Sequence, residues 1–411
     1  MHLVCPGGDE PVNGLICSDE ASIAIPKDYS FIEDIMKRIS MSEGLTPIFN
    51  SIEYAGLYFK DETRNPTGSF RDRSALPSIS FLAYSHVDSI IVSGDGNTCA
   101  SYAAYATRAG ISCTSVLPED SDVVKVEQVR VYGCKALLKG TTMDETHTIA
   151  EKIGSKQGVK HIRVDSEPYA LLGLVGLGLE IYDHIKEYSF DAIVVPVGSG
   201  ATLASIYTAF NREGVRNVRI IGVQAGEGSY ASLFSGDKPT ESDVHYSIRY
   251  MRPPLLKASY KATLATKGWG TYVPLPQVYE ESIRLSGREG IFAEPAAVAG
   301  YIVGRKLVRE RKWKVLVLIT STGLKTVSPR TRSLMGETKI GILQILKKHK
   351  RLHGYMIWKL LGSRRVSPQA VYSSLKWLEE KGLVSSLVVG RRRFYQITAE
   401  GEKALVILGH V

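Results

Sequence analysis

Between about residues 46 and 327 the chain alternates two hydrophobic rhythms. Short apolar runs, "SIIVSG", "CTSVLP", "KALLKG", "DAIVVPVGSG", "VRIIGVQAG" and "KVLVLITSTG", end on glycine or proline, most of them rich in β-branched residues. Between them lie longer stretches of helical character, such as "TCASYAAYATRAG" and "TLASIYTAFNREG". Apolar runs of this length bounded by turn residues read as strands buried on both faces. Their alternation with helices predicts a layered α/β fold with largely parallel sheets. In such a fold the glycine-rich turns that follow strands place ligand loops at the strands' carboxyl ends.

The rhythm changes after "KTVSPRTRSLMGE" (325–337), which reads as a linker. Beyond it the pattern predicts three helices and a hairpin. "ETKIGILQILKKHK" carries Ile342, Leu343, Ile345 and Leu346 on a broad apolar face, and "GYMIWKLLG" reads as a short second helix. In "VSPQAVYSSLKWLEEKG", Ser367 suits an N-cap, Pro368 the first helical position and Gly382 the C-terminal cap. Val371, Leu375 and Leu378 share one face at i, i+4 and i+7. "LVSSLVVGRRRFYQIT" reads as two strands around a turn at Gly390.

With 411 residues the chain is long enough for more than one core. Its 44% apolar and 23% charged residues fit a globular protein, and no apolar run approaches a membrane span. The N-terminus lacks a signal-peptide pattern. Five scattered cysteines (5, 17, 99, 113 and 134) point to reduced thiols in a cytoplasm rather than a disulfide framework. The net charge of +9 sharpens the picture once it is located. Residues 337–411 hold 14 basic and 5 acidic side chains, whereas the preceding chain holds 37 of each. The whole excess sits in the tail, as expected of a polyanion-binding module.

Candidate chemistry concentrates in a few short words. "GSGAT" (198–202), after a buried strand and before a helix, offers backbone N–H groups and a helix N-terminus to a phosphate; it spans Gly198, Ser199, Gly200, Ala201 and Thr202. "NPTGSFRDRSA" (65–75) reads as a loop feeding a helix, with Ser69 suited to cap it. Together with "SGDGNTCASYAAYATRAG", "EPAAVAGY" and "ITSTGLK", these words resemble, in order, the pyridoxal-phosphate enzymes of the tryptophan-synthase β fold (fold type II), most closely threonine synthase. The resemblance spans most of residues 45–327.

That resemblance implies a fold of two open α/β subdomains and assigns roles. Asn97 would face the cofactor's 3-hydroxyl, Gly198–Thr202 its phosphate and Thr320 its pyridine nitrogen. Arg71 stands where the family carries its Schiff-base lysine. A guanidinium stays protonated and is a very poor nucleophile, so no covalent cofactor is expected. Asp95 stands in the loop that cradles a substrate carboxylate with neutral groups, where its charge would repel one. Ser74 and Ser321 replace glycines of the family's words. Arg71 would either bind a phosphate or carboxylate, or pair with Asp95 and plug the site. The expected ligands are an amino acid, a phosphorylated amino acid or pyridoxal phosphate held without a covalent bond. Cys5 and Cys17 lie where archaeal threonine synthases often carry a zinc ribbon; two thiols do not fill a tetrahedral site, so no metal is expected.

The tail resembles winged helix-turn-helix regulators of the PadR-like kind. Ser367, Gln369, Tyr372, Ser373 and Lys376 would meet DNA from the third helix, and Arg391, Arg392 and Arg393 from the wing. The expected organisation is a degenerate ribbon at 1–25, a threonine-synthase-like domain at 26–327, a linker at 328–336 and a winged helix at 337–411. The expected function is a cytoplasmic, homodimeric, ligand-responsive transcriptional regulator with duplex DNA and a small effector as partners. The competing expectation is an active or divergent pyridoxal-phosphate lyase carrying a DNA-binding tail.

Overall fold

The computed structural model describes residues 2–8, 10–12, 14–238, 244–326, 329–362, 366–390 and 392–407. They form two compact units, Met1–Thr326 and Val327–Val411. The strands are β1 (Leu3–Val4), β2 (Ile25–Pro26), β3 (Ile48–Asn50), β4 (Leu57–Asp61), β5 (Ser89–Ser93), β6 (Ser112–Leu117), β7 (Lys135–Leu138), β8 (Lys160–Ile162), β9 (Ala192–Pro196), β10 (Arg219–Ala225), β11 (Gly270–Val273), β12 (Val315–Ile319), β13 (Leu352–His353), β14 (Val384–Val389) and β15 (Arg392–Ile397). The first unit's helices are α1 (Glu33–Ile39), α2 (Asp72–Tyr84), α3 (Gly96–Ala109), α4 (Val123–Val131), α5 (Met143–Gln157), α6 (Pro168–Tyr188), α7 (Ala201–Arg212), α8 (Ser229–Ser235), α9 (Leu256–Ala265), α10 (Leu275–Glu289) and α11 (Pro295–Arg311). The second unit's are α12 (Pro329–His349), α13 (Gly354–Gly362), α14 (Pro368–Glu380) and α15 (Ala399–Ile407).

Two sheets organise the first unit. One has the order β11-β10-β9-β12-β4-β3, parallel except for the edge strand β3; the other, β7-β6-β5-β8, is wholly parallel. Every residue of β9 and β12 is buried, which is why "AIVVP" and "VLVLI" carry no polar alternation. One apolar cluster joins α2, α3, α6 and α7 to strands of both sheets, so the sheets share a core. All six strands read from the sequence are present. β3, β4, β8 and β11 escaped that reading: β3, β8 and β11 are only three or four residues long, and β4 ends on the charged pair Lys60–Asp61, which breaks its apolar run.

The N-terminal segment forms the β1–β2 ribbon, and Ile23 N donates to Thr208 Oγ1 (2.8 Å) on α7. The expectation of reduced thiols is corrected here. Cys5 pairs with Cys17 and Cys113 with Cys134, and Cys99 alone is a free, buried thiol among the five. The folding of the ribbon and the pairing of β6 with β7 bring together cysteines 12 and 21 residues apart, a proximity that scatter along the chain does not reveal.

In the second unit α12, α13 and α14 pack around Ile342, Leu343, Leu346, Ile357, Val371, Leu375 and Leu378. The three-stranded sheet β13-β15-β14 completes it. The backbone from Pro329 onward is already helical, so residues expected to be linker lie in the first turns of α12. Pro329 at the helix start supplies the fixed φ that suits a first turn. No helix among the described residues is long and apolar enough to cross a membrane.

Candidate functional site

The carboxyl ends of β4, β5, β9 and β12 converge on a narrow cavity of about 40 Å³. A single water needs ~10–15 Å³ on this measure. Its lining includes Phe70, Arg71, Asp95, Asn97, Gly198–Leu203, Ser247, Ile248, Glu294, Thr320 and Ser321. The structure thus brings together Arg71, Asp95, Asn97, the five residues of "GSGAT" and Thr320, which the sequence scatters over 250 positions.

One end is a cradle. Gly200 has φ +90°, and a Cβ there would stand 2.5 Å from the Leu255 carbonyl oxygen, so only glycine fits. The turn it permits starts α7, which has no side-chain cap. The first-turn N–H groups of a helix lack intrahelical partners and carry the positive end of its dipole. Ala201 N reaches Ser199 Oγ at 3.3 Å. Ser199 and Thr202 are both buried.

The other end is crowded with charge. Arg71 precedes α2 as its N-cap residue, and Ser69 accepts from Arg71 N (3.3 Å) rather than capping the helix. Arg71 Nε lies 3.9 Å from Asp95 Oδ1, too long for a hydrogen bond, and is buried with no hydrogen-bond partner. The guanidinium lies 4.6 Å from the centre of the Phe70 ring. Asp95 caps α3, accepting from Thr98 N (3.1 Å) and Thr98 Oγ1 (2.5 Å). Burial pushes its carboxyl up, but Arg71, Lys125 and the Thr98 bonds prevail and hold it below the usual range.

Glu294, just before Pro295 at the start of α11, sets the remaining geometry. Its carboxylate takes the Asn97 amide (2.9 and 2.8 Å), the Ser321 hydroxyl (2.6 Å) and the Lys125 ammonium (2.7 Å). A Cβ on Gly96 would collide with the Lys125 side chain, so this glycine lets the lysine cross the start of α3. The sequence pattern does not mark Lys125 or Glu294 as site residues; only the dipeptide "EP" at a helix start hints at the latter. A carboxylate only accepts, so Asn97 must turn its NH₂ toward Glu294. Its Oδ1 is left buried without a partner. In this fold the Asn97 NH₂ is engaged by the Glu294 carboxylate.

Below Ser93, at the end of β5, lies a buried network that the sequence did not announce. Ser93 Oγ is 2.6 Å from both His147 Nδ1 and His161 Nε2, and His161 Nδ1 is 2.6 Å from Glu151. Among the described residues no group of three or more His, Cys, Asp or Glu is placed to hold a metal.

In the second unit Gln369, Tyr372, Ser373 and Lys376 are exposed on α14, opposite the buried face. Ser367 accepts from Ala370 N (3.2 Å) as N-cap. The Tyr372 ring lies so close over Gly354 that a Cβ there would collide with it. Arg393 is exposed on β15, 3.7 Å from Glu379, and Arg392 belongs to the same strand; Arg391 lies outside the described residues.

The family pattern described as "Pyridoxal-phosphate dependent enzyme" matches residues 39–321, more than half of the chain, and the chain belongs to that family. Residues 342–406 match the "Transcriptional regulator PadR-like family", so the protein joins a fold-type-II domain to a PadR-like winged helix-turn-helix. Its relatives include threonine synthase of Methanocaldococcus jannaschii, 26% identical over 78% of this chain and 85% of that one. L-threonine dehydratase catabolic TdcB of Staphylococcus aureus is 31% identical over 46% and 53% of the two chains. Among solved structures, O-ureido-L-serine synthase superposes with a TM-score of 0.62 at 21% identity, covering 76% of this chain and 95% of that one. At that identity the likeness speaks for the fold.

Members of the family use pyridoxal phosphate. The residues here fit that cofactor at one end only. The cradle suits its phosphate, whereas the Asn97 amide nitrogen is engaged by Glu294 and Ser321. No lysine is among the described residues that line the cavity. Lys325 is buried nearby, with burial first among the causes that push its ammonium down to about 8, and its Nζ donates to Thr67 O (2.7 Å).

Proposed function

We propose that this protein is a ligand-responsive transcriptional regulator. Its α/β unit senses a small phosphate-bearing metabolite, and its winged helix binds duplex DNA as one half of a homodimer on a two-fold site. Arg71 carries the reading. It stands at the position that the resemblance assigns to the family's Schiff-base lysine, inside the cavity, and its guanidinium cannot attack a carbonyl at neutral pH. What the pocket retains is the ability to bind: a helix N-terminus for an anion, fixed acceptors and a positive charge. A pocket freed from turnover still reports concentration if two arrangements of the protein differ in ligand affinity.

On the DNA side, α14 supplies Gln369, Tyr372, Ser373 and Lys376 to base edges and phosphates. The basic wing supplies backbone contacts, and the tail's net +9 supplies long-range attraction.

The test is DNA binding titrated against phosphorylated metabolites. The expected outcome is a 5–150-fold change in DNA affinity, the usual span of allosteric coupling. Linkage requires DNA to change ligand affinity by the same factor. Thr202→Ala is expected to abolish the response and leave ligand-free DNA binding intact. A pocket ligand that leaves DNA affinity unmoved removes the sensor reading. A borohydride-reducible pyridoxal adduct, or threonine released from phosphohomoserine, establishes the lyase instead.

A further inference from the structure

The two ends of the cavity ask for opposite chemistry. The α7 end offers N–H donors and a positive dipole. The far end offers acceptors: Asn97 Oδ1, in a residue only 3% exposed, has no partner, and Asp95 is held ionised and buried beside it. Arg71 stands against Asp95 and Lys125 against Glu294, so these four charges are matched two against two. A ligand that brings only negative charge would upset that balance, and one carrying a charge of each sign would keep it. The cavity is also narrow, which suits a short chain better than a substituted ring.

We infer that the pocket's ligand is a small aminoalkyl phosphate, with its phosphate at Gly198–Thr202 and its ammonium between Asp95 and Asn97 Oδ1, and that pyridoxal phosphate is refused. The ammonium fills the two needs that the structure leaves open. It donates to the orphaned Asn97 oxygen, and it gives Asp95 a hydrogen-bonded cation in place of a guanidinium 3.9 Å away. Released from Asp95, Arg71 Nε is free to turn its unspent donor to a phosphate oxygen. Pyridoxal phosphate carries no ammonium, and the Asn97 N–H donors that its phenolate would need are engaged by Glu294.

This inference deepens the sensor reading and rests on it only for what ligand binding does to DNA. Calorimetry on the full chain compares O-phosphoethanolamine with ethyl phosphate, which lacks the amine, and with pyridoxal phosphate. O-phosphoethanolamine is expected to bind roughly 10–100-fold more tightly than ethyl phosphate, the worth of a hydrogen bond to a charged group. Asp95→Asn keeps the helix cap, because Asn caps as well as Asp. It is expected to bring the two affinities together while ethyl phosphate still binds. Thr202→Ala is expected to weaken both and preserve their ratio. Equal affinities in the parent protein overturn the inference, as does a preference that survives Asp95→Asn, or stoichiometric binding of pyridoxal phosphate tighter than that of O-phosphoethanolamine. If O-phosphoethanolamine binds as expected but DNA affinity does not change, the ligand class stands and the sensor reading falls.

Discussion

The two units treat charge in opposite ways. The chain carries 37 basic and 37 acidic residues before position 337, and the first unit folds several of its own inward. Lys60, Lys125 and Glu62 are fully buried, and Arg73 and Lys325 nearly so. Each is paired or hydrogen-bonded: Arg73 to Glu62 (2.7 and 2.9 Å) and Glu180 (2.6 and 2.8 Å), Lys60 to Glu180 (2.9 Å) and Thr46 O (2.6 Å). Among its described residues the second unit buries only apolar side chains and Tyr395 in its core, and none of its described charged side chains is buried. Inward charge costs desolvation and is tolerated where its partners fix a geometry, here the frame from which Arg71 and Asp95 enter the cavity. Outward charge costs little and acts at a distance, which serves attraction to a polyanion.

The largest effect that would break this contrast is removal of one partner from the buried frame. Glu62 accepts from Thr46 Oγ1, Asn65 Nδ2 and Arg73. Glu62→Ala leaves Arg73 with Glu180 as its one carboxylate and a 3.3 Å bond to Thr46 Oγ1, and is expected to cost roughly 3–5 kcal/mol, read by urea unfolding. A loss below 1 kcal/mol would mean that water replaces the carboxylate and that the frame is not dry.

Next in size is the outward face. Gln369→Ala is expected to cost roughly 1–3 kcal/mol of discrimination between operator and unrelated duplexes. Arg393→Ala is expected to weaken both alike and lower the salt slope by about one. Gel-shift titrations at several salt concentrations separate the two. Tyr372→Ala also strips a ring from Gly354, so its thermal midpoint should fall along with its DNA affinity.

The smallest effect is the acid response of the buried imidazoles. His147 is held well below its ordinary 6.5, chiefly by burial and then by Arg163 and His161; His161 is also lowered, burial outweighing Glu151. Below pH 6.5 the unfolded chain binds protons that the native protein refuses. Stability is therefore full above that range and is lost as the pH falls through it, by up to roughly 1.4 kcal/mol per pH unit for each imidazole. His147→Gln should flatten the fall in unfolding midpoint between pH 6.5 and 5. An unchanged slope would assign it to other groups.

The sequence by itself determined the elements and their order. Buried parallel strands must be continuous apolar runs, a helix start after a tight turn must show glycine and small residues, and a basic module must show its charge. All three are local properties, legible in "DAIVVPVGSG", in "GSGAT" and in the 14 basic residues of the tail. The resemblance made most of the pocket's lining legible as well. Tertiary structure alone decided the polarity of that pocket. Glu294 lies 197 residues from Asn97, yet its carboxylate fixes which way the Asn97 amide turns. Lys125 reaches Glu294 only because Gly96 leaves room. Cys5–Cys17, Cys113–Cys134 and the Ser93–His147–His161 network belong to the same class. Hydrogen bonds and ion pairs act over about 3 Å in space, and no spacing along the chain encodes which distant side chains the sheets will bring that close.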